Sequence, residues 1–117
     1  ASLQSYEINP FFLMKPQNVL LICSQGASTS MLYKKISDYA LSQGEELYVH
    51  ATSLAAAPDI IEEADVVLIG PQIRYMLNKV KDMAIDKPVE AIAMEAYGMM
   101  DGEKVYKQVM MMLEDYH

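Results

Sequence analysis

The sequence contains one cysteine among its 117 residues, no tryptophan and only two histidines. A single cysteine cannot form a disulfide within the chain and excludes a Cys-x-x-Cys dithiol mechanism. We therefore expect a reducing compartment and a cytoplasmic location. The histidines, His50 and His117, are too far apart in sequence for a metal-binding motif. No metal or cofactor is predicted.

Positive charge and long apolar runs are also scarce. The sequence has nine Lys and Arg residues and sixteen Asp and Glu residues, which gives a net charge of -7. Nucleic acids and anionic membranes bind to positive surfaces, so we expect neither nucleic-acid binding nor direct lipid binding. No apolar run reaches the roughly 18 residues of a transmembrane helix. Nucleotide-binding Gly-Lys-Ser and Gly-x-Gly-x-x-Gly motifs are absent from the sequence.

What the chain does contain is a regular alternation of strand and helix signals. The predicted strands are 18–23, 46–51, 66–69 and 89–93, and the predicted helices are 29–43, 58–63, 72–84 and one capped by Asp101. Such alternation predicts one α/β domain with an open parallel sheet, doubly wound, with helices on both faces. In these folds a ligand binds at the carboxyl ends of the strands, near the switch in strand order.

Cys23 ends the first predicted strand and opens a loop rich in small and hydroxyl residues. Backbone N–H groups of such a loop can form an anion-binding nest, and the start of the following helix favours a phosphate. The positive electrostatic potential of these N–H groups and of the helix start also favours the thiolate, the nucleophilic form of cysteine. The sequence therefore predicts a phosphoryl site with Cys23 as nucleophile. The predicted phosphate-binding residues are Ser24, Gln25, Gly26, Ala27, Ser28, Thr29 and Ser30.

Two other interpretations remain open at this point. A cysteine after an apolar run can be a small buried hydrophobe, and hydroxyl residues before a helix can be caps, which would leave a non-catalytic interaction domain. The other alternative is a cysteine phosphatase or an arsenate-reductase-like enzyme. In low-molecular-weight tyrosine phosphatases five residues separate the cysteine from an Arg-Ser pair, and this chain has Thr29 and Ser30 at the corresponding positions. Without a guanidinium to stabilise the transferring phosphoryl group, a carrier is favoured over a phosphatase.

Three ordered segments resemble the lactose/cellobiose/chitobiose-type IIB components of the sugar phosphotransferase system. They are Leu-Leu-Ile-Cys-Ser-Gln-Gly-Ala-Ser-Thr-Ser-Met at 20–31, Ala-Asp-Val-Val-Leu-Ile-Gly-Pro-Gln-Ile-Arg-Tyr-Met-Leu at 64–77, and a third region at 87–90 and 97–102. The resemblance implies a four-stranded flavodoxin-like sheet, similar to that of low-molecular-weight phosphatases. It implies a IIB domain at 15–117, with 1–14 as a native extension or an added segment.

The resemblance also implies a relay function and an enzyme class, phosphotransferase. Phosphohistidine of a IIA protein would donate its phosphoryl group to Cys23. The phosphocysteine would pass it to a sugar held by the membrane IIC permease, a β-linked disaccharide such as cellobiose, chitobiose or lactose. The family loop usually reads Cys-Ser-Ala-Gly-Met-Ser-Thr-Ser, so Gln25 and Ala27 depart from it without removing a backbone N–H. The residues expected to border this edge and dock partners are Gln72, Arg74, Tyr75 and Tyr97.

Overall fold

The computed structural model describes residues 17–23 and 30–116. The predictions for 1–14 and for the loop at 24–29 lie outside these residues. The strands are β1 (Gln17–Cys23), β2 (Leu47–Ser53), β3 (Val66–Ile69) and β4 (Val89–Ala91). The α-helices are α1 (Ser30–Ser42), α2 (Ala57–Ile60), α3 (Leu77–Met83), α4 (Met94–Gly98) and α5 (Gly102–Tyr116). Two 3₁₀ segments, Ile61–Glu63 and Pro71–Met76, follow α2 and β3.

The strands form one parallel sheet in the order β2-β1-β3-β4. The chain goes from β1 to one neighbour, β2, and then crosses to β3 on the other side of β1. Strand order therefore switches at β1, whose last residue is Cys23. This confirms the four-stranded, doubly wound parallel sheet predicted from the alternation of signals.

Side chains of the central strands alternate between two apolar layers. Val19 and Leu21 belong to the layer covered by α1, α4 and α5, whereas Leu20 and Ile22 belong to the layer covered by α2 and α3. All four are at most 3% exposed. A fully buried aliphatic side chain contributes about 1.5–3 kcal/mol, so β1, which bears Cys23, is held firmly from both sides.

Helix α1 ends where Gly44 was predicted to end it. Gly44 has a positive φ of 80°, and its N–H donates to the Leu41 carbonyl at 3.0 Å. The N–H of Glu45 donates to the Ala40 carbonyl at 2.9 Å. These two bonds form a Schellman motif, which satisfies the last helical carbonyls and needs a left-handed residue at the position of Gly44.

The sequence-based boundaries differ from the structure mainly after β3 and β4. The predicted helix 72–84 is a 3₁₀ segment followed by α3, with a non-helical backbone at Ile73 (φ -118°, ψ 27°). Apolar spacing of three and four residues fits both kinds of helix, so it did not separate them. Strand β4 ends at Ala91, and α4 was not predicted because five residues are too few to show a period.

The start of α5 lies against the backbone of α1. Asp101 caps α5, since its Oδ1 accepts the N–H of Lys104 at 3.1 Å, as predicted. A β-carbon on Gly102 would stand only 2.5 Å from the Lys35 carbonyl oxygen and 3.0 Å from the Ile36 nitrogen. The structure therefore gives a packing reason for this glycine, because only glycine lets the two helices approach this closely.

Candidate functional site

Cys23 lies at the carboxyl edge of the sheet and has a neighbouring residue on each side. In the β1–β2 register it is opposite Ser53. On its other side, the N–H of Gly70 donates to the Ile22 carbonyl at 2.8 Å, so Gly70 extends the β1–β3 ladder by one step. Cys23 is 1% exposed. The cysteine is therefore fixed at the switch in strand order, where the sequence predicted the site.

Gly70 makes the space beside Cys23. Its φ of -66° and ψ of 151° are accessible to any residue, so conformation does not require glycine there. A β-carbon on Gly70, however, would stand 3.3 Å from the Cys23 Cβ and 2.9 Å from the Gln72 Oε1. The absence of a side chain thus keeps room at the site. This contact was not predicted from the sequence.

Helix α1 brings its amino terminus to the same edge. It begins at Ser30, seven positions after Cys23 in the chain, and packs against β2 and α5. The free N–H groups and positive dipole end at the start of a helix favour an anion. The predicted phosphate-binding residues 24–29 lie outside the described part of the chain, so their role stays a prediction.

The residues expected to dock partners fall into two groups. Gln72, Arg74 and Tyr75 lie on the 3₁₀ segment after β3 and are exposed, Tyr75 to 81%. Tyr97, on α4, is only 8% exposed and packs in the layer beneath α1 and α5. Burial leaves little of the Tyr97 ring for a partner, whereas the side chains of the other three residues are exposed.

Charge is distributed unevenly between the two edges of the sheet. The first three residues after each strand carry no charge, and the first charged residue after β3 is the cation Arg74. At the amino edge, by contrast, Glu46 and Asp65 directly precede β2 and β3. A hollow at that edge is lined by Glu62, Asp65, Asp86 and Lys87. Three carboxylates therefore line a single hollow at the edge opposite Cys23.

The described residues show neither a metal-binding cluster nor a membrane-spanning helix. None of their His, Cys, Asp and Glu side chains form a group of three able to hold a metal ion. Among the same residues, no helix has the length and apolar character needed to cross a membrane. His50 lies exposed on the edge strand β2.

A doubly wound parallel sheet with a cysteine at its switch in strand order defines the class of protein: an α/β protein with a thiol at its ligand-binding edge. Residues 18–108 match the family described as "PTS system, Lactose/Cellobiose specific IIB subunit". The chain belongs to this family of the sugar phosphotransferase system (PTS).

Named relatives agree with the family assignment. The oligo-beta-mannoside-specific EIIB component of Bacillus subtilis (strain 168) is 40% identical over 99 residues, covering 83% of this chain and 96% of that protein. The galactose-specific EIIB component of Lactococcus lactis subsp. cremoris (strain MG1363) is 33% identical over 99 residues, covering 79% and 92%. The solution structure of the cellobiose-specific IIB component from Borrelia burgdorferi has a TM-score of 0.73 and 31% identity, covering 86% and 94%.

Family membership decides between the interpretations that the sequence left open. The chain is a phosphotransferase component of a sugar phosphotransferase system, with a phosphocarrier role. A cysteine phosphatase and a non-catalytic interaction domain are therefore set aside. The missing arginine at position 29 is consistent with this outcome, because a carrier has to retain a phosphoryl group rather than hydrolyse it.

Proposed function

We propose that Cys23 carries the phosphoryl group. The observation that supports this most is its position: Cys23 is the last residue of β1, at the switch in strand order, beside Gly70 and close in sequence to the start of α1. It is also the one cysteine of the chain. Residues 24–30 would surround the phosphoryl oxygens with backbone N–H groups and hydroxyls.

The proposed reaction has two transfers. The Cys23 thiol first loses its proton to solvent, and the thiolate sulfur attacks the phosphorus of a IIA phosphohistidine; the S–P bond forms as the N–P bond breaks. A sugar hydroxyl oxygen then attacks the same phosphorus, the S–P bond breaks, and the thiolate is regenerated while the hydroxyl proton is released. Positioning and electrostatic stabilisation carry most of such catalysis. Because Cys23 is buried, neighbouring atoms have to move aside before either partner reaches the sulfur.

The partners follow from this relay. A IIA protein supplies the phosphoryl group, and a membrane IIC permease holds the sugar, with this chain at 15–117 acting between them in the cytoplasm. The sugars in the relatives' names are oligo-beta-mannoside, galactose and cellobiose, so similar chains serve different substrates. We propose a β-linked di- or oligosaccharide for this chain.

Arg74 and Tyr75 are proposed to dock the IIA partner. Both are exposed on the 3₁₀ segment that follows β3, and this segment begins directly after Gly70, which lies beside Cys23. A Tyr75→Ala variant should raise the KM for phosphorylated IIA and leave kcat close to the wild-type value, because docking contacts are equally strong in ground and transition states. An unchanged KM would contradict the docking role.

The experiment that tests the carrier function is phosphoryl transfer from phosphorylated IIA, followed by intact-mass measurement. We expect the mass of one phosphoryl group on the wild-type chain and none on Cys23→Ser. Ser53→Ala is the matched control, because Ser53 lies opposite Cys23 in the register and should leave the adduct intact. Circular dichroism verifies that each variant is folded. Absence of an adduct on the wild-type chain, or its persistence in Cys23→Ser, would refute the proposal.

A further inference from the structure

The side-chain amide of Gln72 folds back towards Cys23. The point where a β-carbon on Gly70 would stand is 2.9 Å from the Gln72 Oε1 and 3.3 Å from the Cys23 Cβ. The Gln72 amide and the Cys23 side chain therefore both lie close to the same glycine. Gln72 is exposed whereas Cys23 is buried, so the amide, unlike the cysteine, is accessible from solvent.

The backbone on both sides of Gln72 is anchored. Gly70 is bonded through its N–H to the Ile22 carbonyl at 2.8 Å, and the Ile73 N–H donates to the Gly70 carbonyl at 3.1 Å. The Ile73 side chain is 5% exposed and packs in the layer beside α3. These contacts hold the turn in place, so the Gln72 side chain starts from a fixed point beside the cysteine.

The Gln72 amide is also available for a ligand. No hydrogen bond to this amide occurs within the part of the chain that the structure describes. A half-turn of the terminal amide exchanges Oε1 and Nε2, and either atom can then face the cysteine. A phosphoryl group on Cys23 would carry negative charge and accept hydrogen bonds only, so it selects the N–H donors.

We propose that the Gln72 side-chain amide donates a hydrogen bond to a phosphoryl oxygen carried by Cys23 and so stabilises the phosphorylated form. This inference rests on the proposed phosphorylation of Cys23 and gives Gln72 a role different from docking. A neutral amide stabilises the charge less than a guanidinium does. Such a ligand suits a carrier, which must bind the phosphoryl group and also release it.

The equilibrium constant for phosphoryl exchange with IIA separates a ligand from a docking residue. It depends only on the free phosphorylated and unphosphorylated forms of the two proteins. A residue that only docks the partner changes the rate of exchange and leaves this constant unchanged. A residue that binds the phosphoryl group on Cys23 changes the constant itself.

The test uses purified full-length chain and IIA, with both phospho-forms quantified by intact mass after equilibration. Gln72→Met keeps the side-chain length without a donor, and we expect the equilibrium to shift about tenfold towards phospho-IIA. Gln72→Glu places a carboxylate beside the phosphoryl group and should shift it further. The phosphorus chemical shift of the phosphocysteine should also move in both variants.

Two controls accompany these variants. Gln43→Glu makes the same charge change at the exposed end of α1, on the edge of the sheet away from Cys23, and should leave the equilibrium unchanged. Tyr75→Ala should slow the exchange without shifting it. If the wild-type chain takes up no phosphoryl group, the carrier function itself fails. If it does, and both Gln72 variants keep the wild-type equilibrium, the role given to Gln72 is wrong.

Discussion

Asn18 and Asp65 join the starts of the two central strands through a reciprocal pair of hydrogen bonds. The Asn18 N–H donates to the Asp65 Oδ2 at 2.8 Å, and the Asp65 N–H donates to the Asn18 carbonyl at 2.8 Å. The next residues along each strand, Val19 and Val66, are register partners. These two hydrogen bonds at the amino edge therefore fix the alignment of β1 with β3. The same alignment places Cys23 beside Gly70 at the carboxyl edge.

Removing the carboxylate of this pair should weaken the fold modestly. Asp65→Ala deletes one charge-assisted hydrogen bond at an exposed position, and we expect the free energy of unfolding to fall by about 1 kcal/mol. Urea denaturation measures this change. Asp82→Ala, at an exposed position on α3, is the matched control and should leave the unfolding free energy nearly unchanged. Equal losses in the two variants would contradict the role of Asp65.

The close approach of α5 to α1 predicts opposite effects at two glycines. A methyl group at Gly102 would meet the Lys35 carbonyl oxygen at 2.5 Å, so Gly102→Ala forces the helices apart and should cost about 1–3 kcal/mol. A methyl group at Gly98 meets nothing within 4 Å. Gly98→Ala, in a helix, should therefore be neutral or stabilising by up to about 1 kcal/mol. Thermal unfolding of the two variants compares them directly, and a stable Gly102→Ala protein would disprove the steric argument.

Lys87, two residues before β4, is hydrogen-bonded to the 3₁₀ segment that follows α2. Its Nζ donates to the carbonyls of Ile61 at 3.1 Å and Glu62 at 2.9 Å, and its side chain is 11% exposed. Lys87→Met retains the aliphatic stem but removes both donors, which should lower the unfolding free energy by about 1–2 kcal/mol.

Hydrogen exchange provides the local readout for this variant. Amide protons of 61–64 should exchange faster in Lys87→Met than in the wild-type chain. Lys81→Met, at an exposed position on α3, should change neither stability nor exchange. Unchanged exchange at 61–64 in Lys87→Met would show that the ammonium does not hold this segment.

The raised pKa of Tyr106 predicts that the protein loses stability in alkaline solution. Its pKa is raised from the usual value of 10.0 by burial first, and then by the negative charge of Glu45 and by Tyr39. A raised pKa means that the folded state holds the phenolic proton more tightly than the unfolded chain. The contribution of Tyr106 to the free energy of unfolding is therefore fully present below pH 10 and is lost as the pH rises through the folded-state pKa.

Tyr106→Phe should remove that part of the pH dependence. The ring contact with Tyr39, whose centroid is 5.2 Å away at an interplanar angle of 65°, is kept by phenylalanine. Denaturation between pH 9 and 11, in the range around the usual tyrosine pKa, should show a shallower decline for the variant. The pKa of Lys107 is also raised, mainly by its hydrogen bond to Glu103, so only the difference between the two proteins is assigned to Tyr106. Parallel profiles would refute the assignment.

The buried strands were the most predictable part of the fold. Strand β3 lies at 66–69 as predicted, and β1 starts one residue earlier than predicted. Both are buried on two faces, so their apolar runs are continuous and end sharply. Edge strands carry a weaker signal because part of their surface meets solvent, and the predicted ends of β2 and β4 were accordingly displaced by one or two residues.

The site was predictable in its chemistry and only partly in its geometry. The position of Cys23 at a strand end is a local property and was read from the residues beside it. The convergence of Cys23, Gly70 and Gln72 depends on the alignment of β1 with β3 and on a 3₁₀ segment, and no single stretch of sequence contains that information. Burial of Tyr97 likewise arises from how α4 folds onto the sheet.

The carboxylates that line the hollow at the amino edge make that end of the sheet locally negative. A phosphoryl group is an anion and is repelled by carboxylates, so we expect a phosphorylated partner to approach the edge bearing Cys23 and Arg74 rather than this hollow. Mobile ions weaken this field over about 8 Å at physiological ionic strength, so added salt should reduce the preference for one orientation. We expect the acidic hollow to act on orientation in solution, at a distance from the cysteine itself.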